Sequence, residues 1–151
     1  MRIKTGLEVF LTENHQTYQR MKFGLVTHPA AVLPDLTHAL DALLTSGFKI
    51  TALFGSEHGY YGFKADAQPV DHLVDPRTGL PIYSLYGDRL IPSEKMLAEL
   101  DALIFDMQDV GARFYTFIST LYYLLKSAGE FGKRVLVLDL PNPLTGYVGA
   151  G

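Results

Sequence analysis

The sequence predicts an α/β fold: a doubly wound, mostly parallel sheet with helices on both faces. Three observations carry this. Four compact apolar runs (Met21 to Thr27, Lys49 to Phe54, Ala102 to Asp106 and Arg134 to Leu140) have the length and continuity of strands buried on both sides. Segments with apolar residues at helical spacing lie between them, and the alternation of the two favours right-handed βαβ units. Each run stops abruptly at Pro, Gly or a polar group.

Taken in order, Thr5 to Gln19 reads as a short helix, with Leu7, Phe10 and Leu11 on one face and Glu8, Glu13 and Asn14 on the other. The first strand ends at Thr27-His28-Pro29, where proline cannot continue the ladder. From Asp35 to Ser46 the positions Leu36, Ala39, Leu40, Leu43 and Leu44 recur at helical spacing, and Gly47 supplies a stop. The second strand runs straight into Gly55-Ser-Glu-His-Gly59, a glycine-flanked corner that presents a carboxylate beside an imidazole. Tyr60 to Gly79 is long, rich in Gly, Asp and Pro, and aperiodic, which marks a functional loop or lid. Leu80 to Tyr86 reads as a short strand, and Ser93 is placed to cap a helix whose inner face is Met96, Leu97 and Leu100. A helix over Phe114 to Phe131 turns Phe117, Leu121, Leu124 and Leu125 toward the core, and the fourth buried strand follows, ending before Pro141-Asn-Pro143.

The chain has 151 residues, read as a single domain over 1–151, enough to bury roughly 68–70% of its unfolded surface. It is 48% hydrophobic and 19% charged with a net charge of −3 and no basic stripe, so nucleic acid is not an expected partner. With no cysteine, disulfide frameworks and thiolate metal sites are excluded. No apolar run approaches the roughly 20 residues of a membrane span, and Glu8 and Glu13 interrupt any N-terminal leader. The reading as written is therefore a soluble cytoplasmic chain with no membrane association, or a secreted or periplasmic one if a leader has been removed.

Each of the four main runs ends in polar groups of chemical character: Thr27 and His28; Glu57 and His58; Asp106, Gln108 and Asp109; Asp139 and Asn142. In a parallel sheet these ends share one edge, and ligands of open α/β sheets bind outside the carboxyl ends of the strands. Asp106 closes an apolar strand, where a carboxylate is costly unless hydrogen-bonded or facing a polar cleft. Asp109 also fits a helix cap or a pair with Arg113, and Arg113 beside Tyr115 could clamp a carboxylate while the ring stacks on a sugar.

These motifs resemble those of a known family. Leu53-Phe-Gly-Ser-Glu-His-Gly59, Val70-Asp71, Thr78-Gly-Leu-Pro-Ile-Tyr-Ser-Leu-Tyr-Gly87, Phe105-Asp-Met-Gln-Asp-Val-Gly-Ala-Arg-Phe-Tyr-Thr116 and Asp139-Leu-Pro-Asn-Pro143 are similar to successive motifs of the bacterial exo-β-N-acetylmuramidases, long catalogued as a domain of unknown function. The resemblance covers about residues 20 to 146. It implies a Rossmann-like N-terminal domain, no cofactor, and release of N-acetylmuramic acid from the non-reducing end of peptidoglycan fragments, a step of cell-wall recycling. Carried onto this chain, it makes Glu57 the candidate acid, beside His58 and Gly59 of the same motif, and implies that Asp106, Gln108, Asp109, Arg113 and Tyr115 line the sugar site. The polar strand ends themselves make His58, Asp106 and Asp109 further catalytic candidates, and His28 and Asn142 candidate contacts to an amino-sugar or muropeptide. Family members carry a second, C-terminal domain that this chain lacks, and many read Thr-Asn-Gln-Thr-Gly where it has Thr27-His-Pro-Ala-Ala31. Either a missing domain or a homo-oligomer is then expected to cover exposed apolar surface.

Glycoside hydrolysis commonly uses two carboxyl groups. Glu57, among Phe54, Tyr60 and Tyr61, fits the acid; Asp106, Asp109 or the sugar's own 2-acetamido group fits the second role, and Arg113 suits the lactyl carboxylate of muramic acid. Two rival readings use the same residues. His28, Glu57, His58, Asp106 and Asp109 could make an oxygen and nitrogen metal site for a metal-dependent hydrolase, though without recognisable ligand spacing. A non-catalytic sugar-binding half-domain is the other.

Overall fold

The computed structural model describes residues 3–13, 15–56, 73–87, 90–112 and 115–141. Its strands are β1 (Lys22–Thr27), β2 (Lys49–Gly55), β3 (Leu73–Val74), β4 (Pro81–Ser84), β5 (Ala102–Asp106) and β6 (Arg134–Val137). The helices are α1 (Gly6–Glu13), α2 (His15–Tyr18), α3 (Ala39–Thr45), α4 (Glu94–Leu97) and α5 (Phe117–Glu130). They build one six-stranded sheet in the order β3-β4-β2-β1-β5-β6. All pairings are parallel except β3 with β4, so the sheet is mixed at that edge.

Strands β1, β2 and β5 are buried almost end to end, which is why they read as unbroken apolar runs. Their residues alternate between two cores. Phe23, Leu25, Leu53 and Ile104 pack with Leu7, Phe10, Leu40 and Leu43 under α1 and α3. Val26, Phe54, Leu103, Phe105 and Met107 pack with Leu97, Leu100, Phe117 and Leu124 under α4 and α5. The helices therefore cover both faces, as expected of a doubly wound sheet.

Several boundaries differ from the sequence reading, each for a local reason. The first helix divides into α1 and α2. The third begins at Ala39, because Leu36 takes a left-handed backbone (φ 69°) in a turn closed by Leu36 N–H to the Leu33 carbonyl, and its side chain is 79% exposed instead of inward. Ser93 occupies the N-cap of α4, but its hydroxyl makes no capping bond. Helix α5 starts after Thr116, and Leu125 is 49% exposed, off the core face that Phe117 and Leu124 occupy. The fourth strand is shorter than expected and is a half-exposed edge, not a buried centre. Within the long aperiodic segment, Leu73–Val74 pairs with β4, and most of the remainder lies outside the described residues.

Candidate functional site at the strand ends

From β1 the chain winds outward through β2 to β4, then crosses back to the other side of β1 to lay down β5. The reversal falls between β1 and β5, and the crevice at such a switch point is where open α/β sheets bind ligands. Thr27 and Asp106 are partners in register there, the last residues of their strands.

Asp106 is 2% exposed, and its Oδ2 has no hydrogen-bond partner among the described residues. Burial pushes its carboxyl up to about 7 from an ordinary 3.8. The group therefore holds its proton close to neutrality. Thr27, wholly buried beside it, has a long 3.5 Å contact from its hydroxyl to the His28 carbonyl.

His28 is held on several sides. The Gln108 N–H points at its Nε2 (3.2 Å) and the Ala30 N–H at its Nδ1 (3.2 Å). Its carbonyl accepts from the Ala31 N–H (3.0 Å) and meets His38 Nε2 at 3.1 Å. His38 is the N-cap of α3 and its Nδ1 accepts the Leu40 N–H, so its proton sits on Nε2 and is donated to the His28 carbonyl. The His28 ring lies 5.1 Å from the ring of Phe117, whose other neighbour is Tyr115 at 5.0 Å, edge-on. Burial first, and the neighbouring His38 second, hold the imidazole below its ordinary value, opposed by a side-chain hydrogen bond with Gln108.

Asp109 turns back on its own loop: Oδ1 accepts the Gly111 N–H at 2.6 Å, and Gly111 carries the left-handed backbone (φ 71°) that the tight turn requires. Strand alternation separates the other two groups. Asp106 follows Ile104 onto the α1/α3 side, whereas His28 meets Phe117 on the α4/α5 side. The structure thus brings His28, Gln108, Tyr115 and Phe117 into one chain of contacts, with Asp106 at the same strand edge but facing the opposite layer. Glu57, His58, Arg113 and Asn142 lie outside the described residues. Among the described residues no three His, Asp or Glu side chains converge as metal ligands would. Sequence reasoning misses His38; a histidine one residue ahead of an apolar helical run is a weak capping signal.

The class of protein this defines is a doubly wound α/β domain with a buried carboxyl at the switch point of its sheet. The family model for the N-terminal part of exo-beta-N-acetylmuramidase NamZ matches residues 23–151, and the chain belongs to that family. It is 41% identical over 146 residues to the peptidoglycan beta-N-acetylmuramidase NamZ of Bacillus subtilis (strain 168), covering 96% of this chain and 35% of that protein. Among solved structures it is similar to two DUF1343 family proteins of Bacteroides fragilis NCTC 9343. One superposes with a TM-score of 0.85 at 39% identity, over 97% of this chain and 37% of that one. The other gives 0.75 at 31% identity, over 95% and 36%. The chain spans about a third of the length of these relatives.

Proposed function

We propose that this chain forms part of a glycosidase of the exo-β-N-acetylmuramidase type, which releases N-acetylmuramic acid from the non-reducing end of peptidoglycan fragments. The observation that carries the reading is Asp106: a carboxyl with a free oxygen, kept protonated near neutrality, at the switch point of a sheet whose family relative is named as a muramidase. Hydrolysis breaks the bond between the anomeric carbon and the glycosidic oxygen. The water oxygen becomes attached to that carbon, and the departing sugar takes a proton.

Glu57, the first residue after buried Ser56 at the end of β2, is assigned as the proton donor, with His58 beside it. The second role falls to Asp106, to Asp109 or to the substrate's 2-acetamido group. Gln108, Arg113, Tyr115 and Asn142 are assigned to the sugar and its lactyl carboxylate, with Arg113 suited to the bidentate pair. No cofactor enters this scheme.

A second reading is a sugar-binding half-domain without turnover of its own. Release of N-acetylmuramic acid from a chromogenic muramide separates the two, measured for this chain alone and joined to the remaining length of a relative. Turnover lost in Glu57→Gln, with the melting transition unchanged, is the expected result. Undiminished turnover in that variant removes Glu57 from the chemistry, and saturable sugar binding without turnover in either form selects the half-domain.

A further inference from the structure

Two backbone amides aim at one imidazole: Ala30 N–H at Nδ1 and Gln108 N–H at Nε2, both at 3.2 Å. A neutral imidazole has a single acceptor nitrogen, and an imidazolium has none. Both contacts cannot be hydrogen bonds at once. The choice between them follows from what each amide loses when left without an acceptor. The Ala30 contact is local, two residues along the chain, and lies in an exposed place where water can replace it. The Gln108 contact is partly buried and joins positions 80 residues apart, so its amide has the poorer alternative.

We infer that His28 is a positioning residue: neutral, with its proton on Nδ1, it uses the Nε2 lone pair to pin the Gln108 backbone and so fixes the loop after β5 against the end of β1. The remaining contacts agree with that role. Phe117 packs against the ring, and His38 grips the carbonyl of the same residue. With its Nε2 lone pair taken by the Gln108 amide, the imidazole has no acceptor nitrogen left to offer a sugar. Its effect on substrate runs through Gln108, and this last step rests on the muramidase reading above.

The two amide-bearing side chains separate the contacts, because the Asn oxygen falls near the Nδ1 position and the Gln oxygen near Nε2. In the 151-residue chain at neutral pH, long-range proton–nitrogen NMR should show His28 protonated on Nδ1. Hydrogen exchange at the Gln108 amide should be at least about tenfold faster in His28→Asn than in wild type, and restored in His28→Gln. A proton on Nε2 in the wild-type spectrum overturns the inference, and so does a Gln108 amide equally protected in His28→Asn; the wild-type spectrum decides alone if a variant fails to fold. In an assay of muramic-acid release, His28→Asn should raise KM more than it lowers kcat, with recovery in His28→Gln. Absence of release from the wild-type protein would count against the glycosidase reading and leave the exchange result standing.

Discussion

Two carboxyl groups of this molecule are equally hidden from water and differently treated. Asp75, at 0% exposure in the turn between β3 and β4, accepts from both the Thr78 N–H (3.0 Å) and the Thr78 hydroxyl. Its backbone is tied in as well, with N–H to the Leu80 carbonyl and its own carbonyl to the Gly79 N–H, each at 2.8 Å. Asp106, at 2% exposure, has an oxygen with no hydrogen-bond partner among the described residues. A buried polar atom without a partner costs free energy, so folds retain few of them outside working sites. The first carboxylate builds a turn; the second is buried at the end of its strand with no such bond to its Oδ2 among the described residues.

The largest effect that can break this contrast is on turnover. Asp106→Asn should lower muramic-acid release by about 10²–10⁴-fold, the range for loss of a group that handles a proton, while remaining at least as stable as wild type at pH 8. An Asp106→Asn protein with full activity would make the free carboxyl a packing accident. Next in size is the structural carboxylate. Asp75→Ala leaves two Thr78 donors unmatched and should cost on the order of 2–3 kcal/mol in denaturant unfolding, and a change below about 0.5 kcal/mol would show the turn to be held by its backbone alone.

The pH dependence of stability should also distinguish the wild-type protein from the Asp106→Asn variant. Folded Asp106 keeps its proton up to about pH 7, whereas the unfolded chain gives it up near 3.8. Its contribution is therefore fully present below about pH 3.8 and lost as pH rises toward 7, on the order of 2–4 kcal/mol in all. His28 acts in the opposite sense, since its lowered value makes the folded state resist protonation and lose stability as pH falls below 6.5. Urea midpoints across pH 4 to 8 should show the first slope in wild type and not in Asp106→Asn. The smallest effect concerns the exposed pair of Arg77 with Asp41 (3.2 Å): Asp41→Asn should change stability by no more than ~0.5 kcal/mol, measured at low and high salt.

How much of this is legible in the sequence depends on whether a residue's fate is set locally. Strand β5 can be read to the residue because Ala102 to Phe105 is apolar without a break and Asp106 ends it. Helix α3 reads as starting several residues too early, because the apolar spacing continues through Leu36 while the helical backbone does not. Spacing alone puts Leu125 inside because it cannot say how wide the buried face of α5 is, and α5 has an exposed row of Ile118, Tyr122 and Leu125. At the site, the polar strand ends announce His28 and Asp106, and the cost of desolvation already marks the carboxyl of Asp106. Which neighbours they find is not written locally. His38 reaches His28 only through the turns of the β1–α3 connection, and what sets Thr27 and its neighbours beside Asp106 is the β1–β5 register, a pairing distant in sequence.

One stitch in the fold bears on the order in which it can assemble. The N–H of Gly6, at the start of α1, donates to the carbonyl of Asp139 at 2.7 Å, and a side chain at position 6 would collide with the backbone of Leu138 and Asp139. Leu7 and Phe10 then share a core with Leu138. Helix α1 thus has its berth beside residues more than a hundred positions later in the chain. The apolar face of that helix is covered only when the chain closes a loop of this length, and contacts of such separation carry the entropy that lengthens folding times.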